Sequence, residues 1–316
     1  MNLKYVVDSL TSGKPVKYIL KDKFELSQKL IRQLKYLNKI HCNGKPVYVN
    51  VVTNENDIIE VFMDIEESSE GVIPEDIPID IIYEDSVLIA LNKQPGIIVH
   101  PTGKHIRGTL ANAVAHHLCK TNLICKIRPV IRLDKDTSGV IVFAKNSFTH
   151  SFLTNQMNIN SFHKEYIGLV HGLVQNKKGT IDLPIGRKPG SIIERCICPH
   201  GDLSITHYET IKHLKNSTLL RFILKTGRTH QIRVHCQAIG HPLLGDTLYS
   251  LNSELFPLKT ETIAQNDLAS NPHIHVKRQA LHSLKTSFIH PVKKKTLEII
   301  APVPNDIKIL TEILRK

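Results

Sequence analysis

The apolar positions of this chain follow two spacings, one helical and one strand-like. Behind Ser27, the residues Leu30, Ile31, Leu34 and Leu37 recur on one helical face. A capped helix is predicted there, with Lys29, Arg32 and Lys35 projecting away from its apolar side. The run that follows, IHCNGKPVYVN (40–50), places two β-like segments about Asn43-Gly44, a strong hairpin turn pair. From Ile79 onward strands and helices alternate. IDIIYEDSVLIALNKQPGIIVHP (79–101) predicts strands separated by turns at Glu84-Asp85-Ser86 and Gln94-Pro95-Gly96. TLANAVAHHL (109–118) is helical, with Leu110, Val114 and Leu118 on one face, and GVIVFAKN (139–146) is a buried strand. YIGLVHG (166–172), ITHYETI (205–211), TLLRFILKT (218–226) and SLKTSFIHP (283–291) supply further strands. HQIRVHCQAIG (230–240) reads as a helix that stops at Gly240, before His241-Pro242.

Charge divides the same chain. Residues 11–50 hold nine Lys/Arg against two acids, Asp22 and Glu25, whereas residues 51–90 hold twelve Asp/Glu and no Lys or Arg. So abrupt a switch predicts a small basic domain at 1–63, an acidic linker at 64–78 and a larger domain at 79–316. The net charge of +12 over 316 residues fits a polyanionic partner, most simply nucleic acid.

Other classes are disfavoured. With 41% hydrophobic residues and no long apolar run, a membrane span is not expected. The opening MNLKYVVDSLTSGK lacks a signal-peptide layout, so a cytoplasmic protein is expected, with monomer as the default state. Among the six cysteines only Cys196 and Cys198, near His200, hint at a metal, and a second pair of ligands is missing. No metal is expected, and no cofactor, since neither a phosphate-binding G-x-x-x-x-G-K-[ST] loop nor a G-x-G-x-x-G run occurs.

The segment IRLDKDTSG (131–139) concentrates candidate chemistry. As a calcium loop, Asp134, Asp136 and Ser138 would need a glutamate at the twelfth position, where Lys145 stands. As a plain turn, Asp134 would accept backbone N–H bonds while Thr137-Ser138-Gly139 closed the bend. The surrounding segments weigh against that reading. RPVIRLDKDTSGVIVFAKN resembles the signature of RluA-type RNA pseudouridine synthases. PGIIVHPTG, GTLANAVAHHL, HKEYIGLVHG, TGRTHQIRVHCQAIGHPLLGDTLY and RQALHSLKTSFIHP match the family's other segments in order, from about residue 79 to 303. LSQKLIRQLKYLNKIHCNGKPVYVN is similar to the S4 RNA-binding module.

The resemblance implies an α+β fold: a catalytic domain built on a mixed, largely antiparallel sheet, with a small N-terminal α/β S4-like domain. It implies an isomerase that converts uridines of structured ribosomal RNA, or transfer RNA, to pseudouridine. Asp134 would be the catalytic carboxylate, Tyr166 the ring that packs on the target base, and Arg233 the cation paired with the aspartate. Arg132 would hold RNA beside the active loop, with Lys29, Arg32, Lys35, Arg228 and His230 as further RNA contacts. Most family members carry His or Asn where this chain has Ile131, so a polar group at that point is missing or supplied elsewhere.

The proposed roles suit the reaction. A ribose–N1 bond must be exchanged for a ribose–C5 bond, and a carboxylate can attack C1′, stabilise charge there or remove a ribose proton. A neighbouring guanidinium favours the ionised carboxylate and fixes its direction. The competing reading is a non-catalytic RNA-binding or ribosome-assembly factor on the same fold, which would be marked by loss of Asp134, Tyr166 or Arg233; all three are present. A glycosidase fits poorly, because the chain has no tryptophan to hold a sugar and is strongly basic.

Overall fold

The structure is a computed structural model that describes residues 2–63, 71–103, 105–121, 123, 125–250 and 278–315. Of the expected acidic linker, residues 64–70 lie outside the described residues.

The first described stretch builds its own four-stranded sheet, in the order β1-β4-β2-β3, from β1 (Asn2–Val6), β2 (Ile40–Cys42), β3 (Lys45–Pro46) and β4 (Ile58–Phe62). Helices α1 (Val16–Asp22) and α2 (Gln28–Tyr36) lie between β1 and β2 in the chain. The Ser27 hydroxyl accepts the Leu30 N–H at 3.2 Å, capping α2, an interaction worth about 1 kcal/mol. Leu30, Ile31 and Leu34 are buried, as their spacing predicts. Leu37 is not. The helix ends one residue before it, Asn38 turns left-handed at φ 52°, and Leu37 is left 39% exposed. Asn43 and Gly44 both take positive φ, 50° and 78°, as a two-residue hairpin turn of the right twist requires.

The larger sheet has ten strands and is antiparallel apart from one junction among the described residues. Its main order runs β10 (Lys178–Asp182), β13 (Ile205–Leu214), β14 (Ser217–Leu224), β9 (His163–His171), β15 (Leu281–Ile289), β8 (Ser138–Ala144), β6 (Leu88–Lys93) and β5 (Ile81–Glu84). β7 (Arg128–Pro129) pairs with β8, and β16 (Thr296–Ile300) with β15. A separate ribbon joins β11 (Ile185–Arg187) to β12 (Arg195–Ile197). The fold is thus α+β on a largely antiparallel sheet.

The core lies along β6 and β8. Leu88 to Leu91 are wholly buried, and every residue from Ser138 to Ala144 is covered, because both faces of these strands are packed. Helices α3 (Leu110–Lys120), α4 (Ser147–Asn158), α5 (Gln231–Ala238) and α6 (Asn305–Ile313) complete the described elements of this region. The Gly240 stop is observed at φ 78°, directly after α5.

The one parallel pairing sets Ser138 beside His282 and Gly139 beside Ser283. There the chain leaves the Asp134 loop and enters β8. Gly139 holds φ 110°, and a Cβ on it would stand 2.1 Å from the Ser283 carbonyl oxygen, so only glycine fits.

Candidate active site

The loop before β8 is held from beneath by buried cations. Lys93, 1% exposed at the end of β6, donates from Nζ to the carbonyls of Lys135 at 2.6 Å and Thr137 at 2.9 Å. Arg278 donates from Nη1 to the Asp136 carbonyl at 3.0 Å and from Nη2 to the Ser138 hydroxyl at 3.2 Å. Its guanidinium is itself fixed by Asp306 of α6, through Nε at 2.8 Å and Nη2 at 3.1 Å. The carbonyls of residues 135, 136 and 137 therefore all point to buried cations, and the Gly96 N–H also donates to the Lys135 carbonyl, at 3.0 Å. Burial presses the Lys93 ammonium down to about 7, against the opposing charges of Asp136 and Asp134.

With its backbone so anchored, the loop turns the Asp134 side chain the other way, where 23% of it meets solvent. The plain-turn reading fails on geometry. Closure comes from the Asp134 main-chain carbonyl, which accepts the Thr137 N–H at 3.2 Å, and the carboxylate faces Arg233 instead. Arg233 Nη1 donates to Asp134 Oδ2 at 3.3 Å. The same guanidinium grips Asp246 with two further bonds, Nε to Oδ2 at 2.7 Å and Nη2 to Oδ1 at 2.8 Å.

Asp246 is fully buried and also accepts the Leu248 and Tyr249 N–H groups at 3.0 and 3.1 Å. Burial alone would lower the Arg233 pKa, but the bonds and charge of Asp246, followed by Asp134, outweigh it and raise the value. Arg233 is thus a fixed cation, locked on one side and presented to Asp134 on the other. Its Cζ atom also lies 5.0 Å from the centre of the Tyr249 ring.

His230 opens α5 from a left-handed backbone, φ 56°, at the N-cap. Its Nδ1 meets the Tyr249 hydroxyl at 2.8 Å, and its Nε2 lies 3.9 Å from Asp134 Oδ1. Burial lowers its pKa, with the Asp134 charge pulling the other way. The loop ahead of it is pinned by Gln231, whose Oε1 accepts from Thr226 Oγ1 at 2.8 Å and from the Arg228 N–H at 2.9 Å. Lys164, buried in β9, donates to the Thr226 carbonyl at 3.3 Å; burial and then the Arg228 charge bring its pKa down to about 8.

Two positions on from Lys164, and so on the same strand face, lies Tyr166, only 5% exposed. Burial raises its phenol pKa far above the ordinary value, Ser283 opposes the shift and the Asp134 charge adds to it. The ring therefore stays neutral beside the carboxylate, largely covered by protein.

The expected residues fall into three groups. Asp134, Arg233 and His230 meet directly, and Tyr166 borders them within reach of the Asp134 charge. Arg132 and Arg228 lie at the rim. Arg132 is exposed between buried Ile131 and Leu133, and Arg228 donates to the Leu203 carbonyl at 3.2 Å while facing Asp202 at 3.9 Å. Lys29, Arg32 and Lys35 stand apart, on the solvent face of α2. Ile131 is 6% exposed and joins the core, so it offers the site no polar group. His235 turns away, to Thr206 Oγ1 at 2.9 Å and the Leu183 carbonyl at 3.0 Å.

Lys93, Asp246, Tyr249 and Arg278 were not among the residues expected from sequence. Asp246 and Tyr249 fall within the G-H-P…G-D…Y run, which carried the available signal. Among the described residues no three His, Cys, Asp or Glu side chains gather as metal ligands, and no disulfide joins the described cysteines. No helix among them is long and apolar enough to cross a membrane.

The structure thus presents a partly open aspartate on a clamped loop ahead of the central strand β8, paired with a locked guanidinium. Comparisons with known proteins give the family. The sequence profile described as RNA pseudouridylate synthase matches residues 87–238. The uncharacterized RNA pseudouridine synthase YjbO of Bacillus subtilis is 36% identical over 283 residues, covering 89% of this chain and 93% of that one. Ribosomal large subunit pseudouridine synthase D of Vibrio parahaemolyticus is 36% identical over 281 residues, covering 88% and 83%. The solved structure of human RNA pseudouridylate synthase domain containing 4 superposes with a TM-score of 0.57 at 22% identity, over 75% of this chain and 93% of that one, a likeness of fold. The chain belongs to the RNA pseudouridylate synthase family.

Proposed function

We propose that this protein is an RluA-type isomerase that converts uridine to pseudouridine in structured ribosomal RNA, with Asp134 as the catalytic carboxylate. The observation that carries the reading is the Asp134–Arg233–Asp246 chain: one carboxylate wholly buried, one partly open, and the guanidinium bonded to both. Asp246 fixes the guanidinium, and the guanidinium aims the Asp134 oxygen that remains accessible.

The reaction needs an ionised carboxylate at the ribose. Asp134 either attacks C1′ or takes a proton from C2′; in both routes the C1′–N1 bond breaks and the uracil turns. C5 then bonds C1′, displacing Asp134 from C1′ in the first route and with the proton returned to C2′ in the second; the C5 proton leaves to solvent and N1, freed of the sugar, gains one. Tyr166 supplies an aromatic wall that tolerates the base in either orientation, and a neutral phenol beside a carboxylate adds no competing charge. A base in structured RNA must first be drawn out of its stack, which costs on the order of a few kcal/mol. Arg132 and Arg228 at the rim, His230 beside Asp134 and the lysine-bearing face of α2 offset that cost through phosphate contacts. The α2–hairpin region serves as an S4-like RNA-binding arm.

The test is tritium release from ribosomal and transfer RNA labelled at uridine C5. Wild-type protein is expected to release label to water from ribosomal RNA, and Asp134→Asn to bind the same RNA without release. Label release by Asp134→Asn at the wild-type rate would remove the mechanism. Binding without release by the wild type would instead favour an RNA-binding factor on this fold.

A further inference from the structure

The N-terminal region contains a pocket that the pseudouridylation chemistry does not use. It encloses about 480 Å³ and is lined by Arg32, Lys35, Tyr36 and Asn38 at the end of α2, together with Pro46, Val47 and Tyr48 beyond the hairpin. Its volume lies within the range of about 300–1,000 Å³ typical of sites for small organic groups. The two aromatic side chains are conspicuously uncovered, with Tyr36 87% and Tyr48 70% exposed. A folded chain gains nothing by leaving two such rings beside one cavity in water unless something else covers them.

The charge around the rings identifies the occupant. Arg32, Lys35 and Tyr36 stand at i, i+3 and i+4 of one helix and so share a face. Lys35 Nζ lies 5.9 Å from the Tyr48 ring centre, which places a cation beside an aromatic surface. No Asp or Glu is among the residues that line the pocket, and none occurs in the chain between Glu25 and Glu55. Flat rings interleaved with cations, free of carboxylates, match a nucleotide: the base takes the ring and the phosphates take the charge. Duplex RNA cannot use the rings, because its bases are stacked and their faces hidden. Asn38 adds a carboxamide able both to donate to and to accept from a base edge.

We propose that this pocket binds one unpaired nucleotide of the RNA, its base against Tyr36 and Tyr48 and its flanking phosphates on Arg32 and Lys35. The α2 face then does more than add charge. It selects RNA in which a single-stranded base lies within reach of the arm, so a loop or bulge near the target uridine becomes part of recognition. The inference rests on RNA being the substrate, but not on Asp134 being the catalytic group.

The test uses the full chain with two RNAs of equal length, one single-stranded and carrying a 2-aminopurine base, the other fully duplex. Wild-type protein is expected to change the 2-aminopurine fluorescence on binding. Tyr36→Ala and Tyr48→Ala are each expected to lose that change and to weaken single-strand binding on the order of tenfold, the worth of one base–aromatic stack. Tyr36→Phe and Tyr48→Phe should retain both, and duplex binding should be unaffected throughout. Arg32→Ala should instead flatten the salt dependence while leaving the fluorescence change in place. Because both rings are exposed, unchanged melting of the alanine variants checks that the fold is intact. Equal single-strand affinity in wild type and alanine variants, with unaltered fluorescence, overturns the proposal and leaves the rings to a protein partner. Asp134→Asn should keep the fluorescence change; a wild type that shows it without releasing tritium would refute the isomerase reading alone.

Discussion

Positive charge is used in opposite ways at two places in this molecule. On α2, Lys29, Arg32 and Lys35 stand in solvent. Around the Asp134 loop, Lys93, Arg233 and Arg278 are 1%, 8% and 9% exposed, and each is committed to carbonyls or carboxylates of the protein itself. Exposed charges act through a screened field; they set affinity, and their effect falls as salt rises. Buried charges bonded on several sides act through geometry and are hardly screened, so they set where the Asp134 oxygen points. Damage to the first group should therefore appear in binding, and damage to the second in stability and turnover.

The largest effect expected is from Asp246→Ala. Among the described residues this leaves Arg233 buried with Asp134 as its one carboxylate partner and strips two backbone N–H groups of their acceptor. Breaking a buried pair from one side costs about 3–5 kcal/mol, so chemical denaturation should show a loss of that order, with tritium release falling sharply as well. If Asp246→Ala melts with the wild type, the buried group is not structural and the contrast with α2 fails. Next comes Arg233→Ala. Turnover should drop by at least on the order of 100-fold, the loss expected when a preorganised electrostatic interaction is removed. RNA affinity, measured separately, should fall far less. Lys29→Ala supplies the comparison: if its turnover suffers more than that of Arg233→Ala, the charge partner of Asp134 has been misplaced.

How far these roles were legible in the sequence depends on how local each signal was. The α2 cap, the Asn43-Gly44 hairpin and the Gly240 stop are set by residues within a few positions of one another, and they were readable. The pairing of Asp134 with Arg233 joins residues 99 positions apart and came from the motif resemblance; periodicity alone carries no such information. Lys93 carries no local signal, because the carbonyls it serves lie 42 and 44 residues further along the chain. Arg278 was hidden in the same way, since the Asp136 carbonyl is 142 residues before it. Helix α4 went unseen for another reason. Thr149 and Gln156 are buried within it alongside Phe148, Phe152 and Leu153, so polar residues interrupt the apolar stripe that would have announced it. Leu37 failed in the opposite direction: apolar and in register, it falls just past the helix end.

The buried cations also make a pH prediction of intermediate size. Lys93 has an ordinary value of 10.5 and is brought down to about 7 in the folded protein, chiefly by burial. Between those values the unfolded chain holds a proton that the folded chain has released, so stability rises with pH across this window. Below about pH 7 both states are protonated and the cost of burying the charge is fully present. Denaturation of wild type and Lys93→Met across neutral to alkaline pH should show a rise in the wild type that the variant lacks. Identical pH dependence in the two proteins would mean that the amine under the loop does not titrate between its folded and unfolded values.

The smallest effect on chemistry belongs to the exposed group. A triple variant, Lys29→Ala with Arg32→Ala and Lys35→Ala, removes three cations from a face whose apolar neighbours, Leu30, Ile31 and Leu34, are untouched. Melting should be unchanged, and turnover at saturating RNA should be close to wild type. The change belongs in the salt titration. For each phosphate that the variant no longer neutralises, the slope of log affinity against log salt falls in magnitude by about 0.7–0.9. The triple variant should therefore bind less tightly at low salt and weaken less as salt is raised. At high salt the two proteins should converge, since the term that distinguished them has been screened away. A triple variant with the wild-type slope but a lower turnover at saturation would place these cations with the buried set, acting on geometry through the bound RNA. The division between binding charge and positioning charge would then have to be redrawn inside α2 itself.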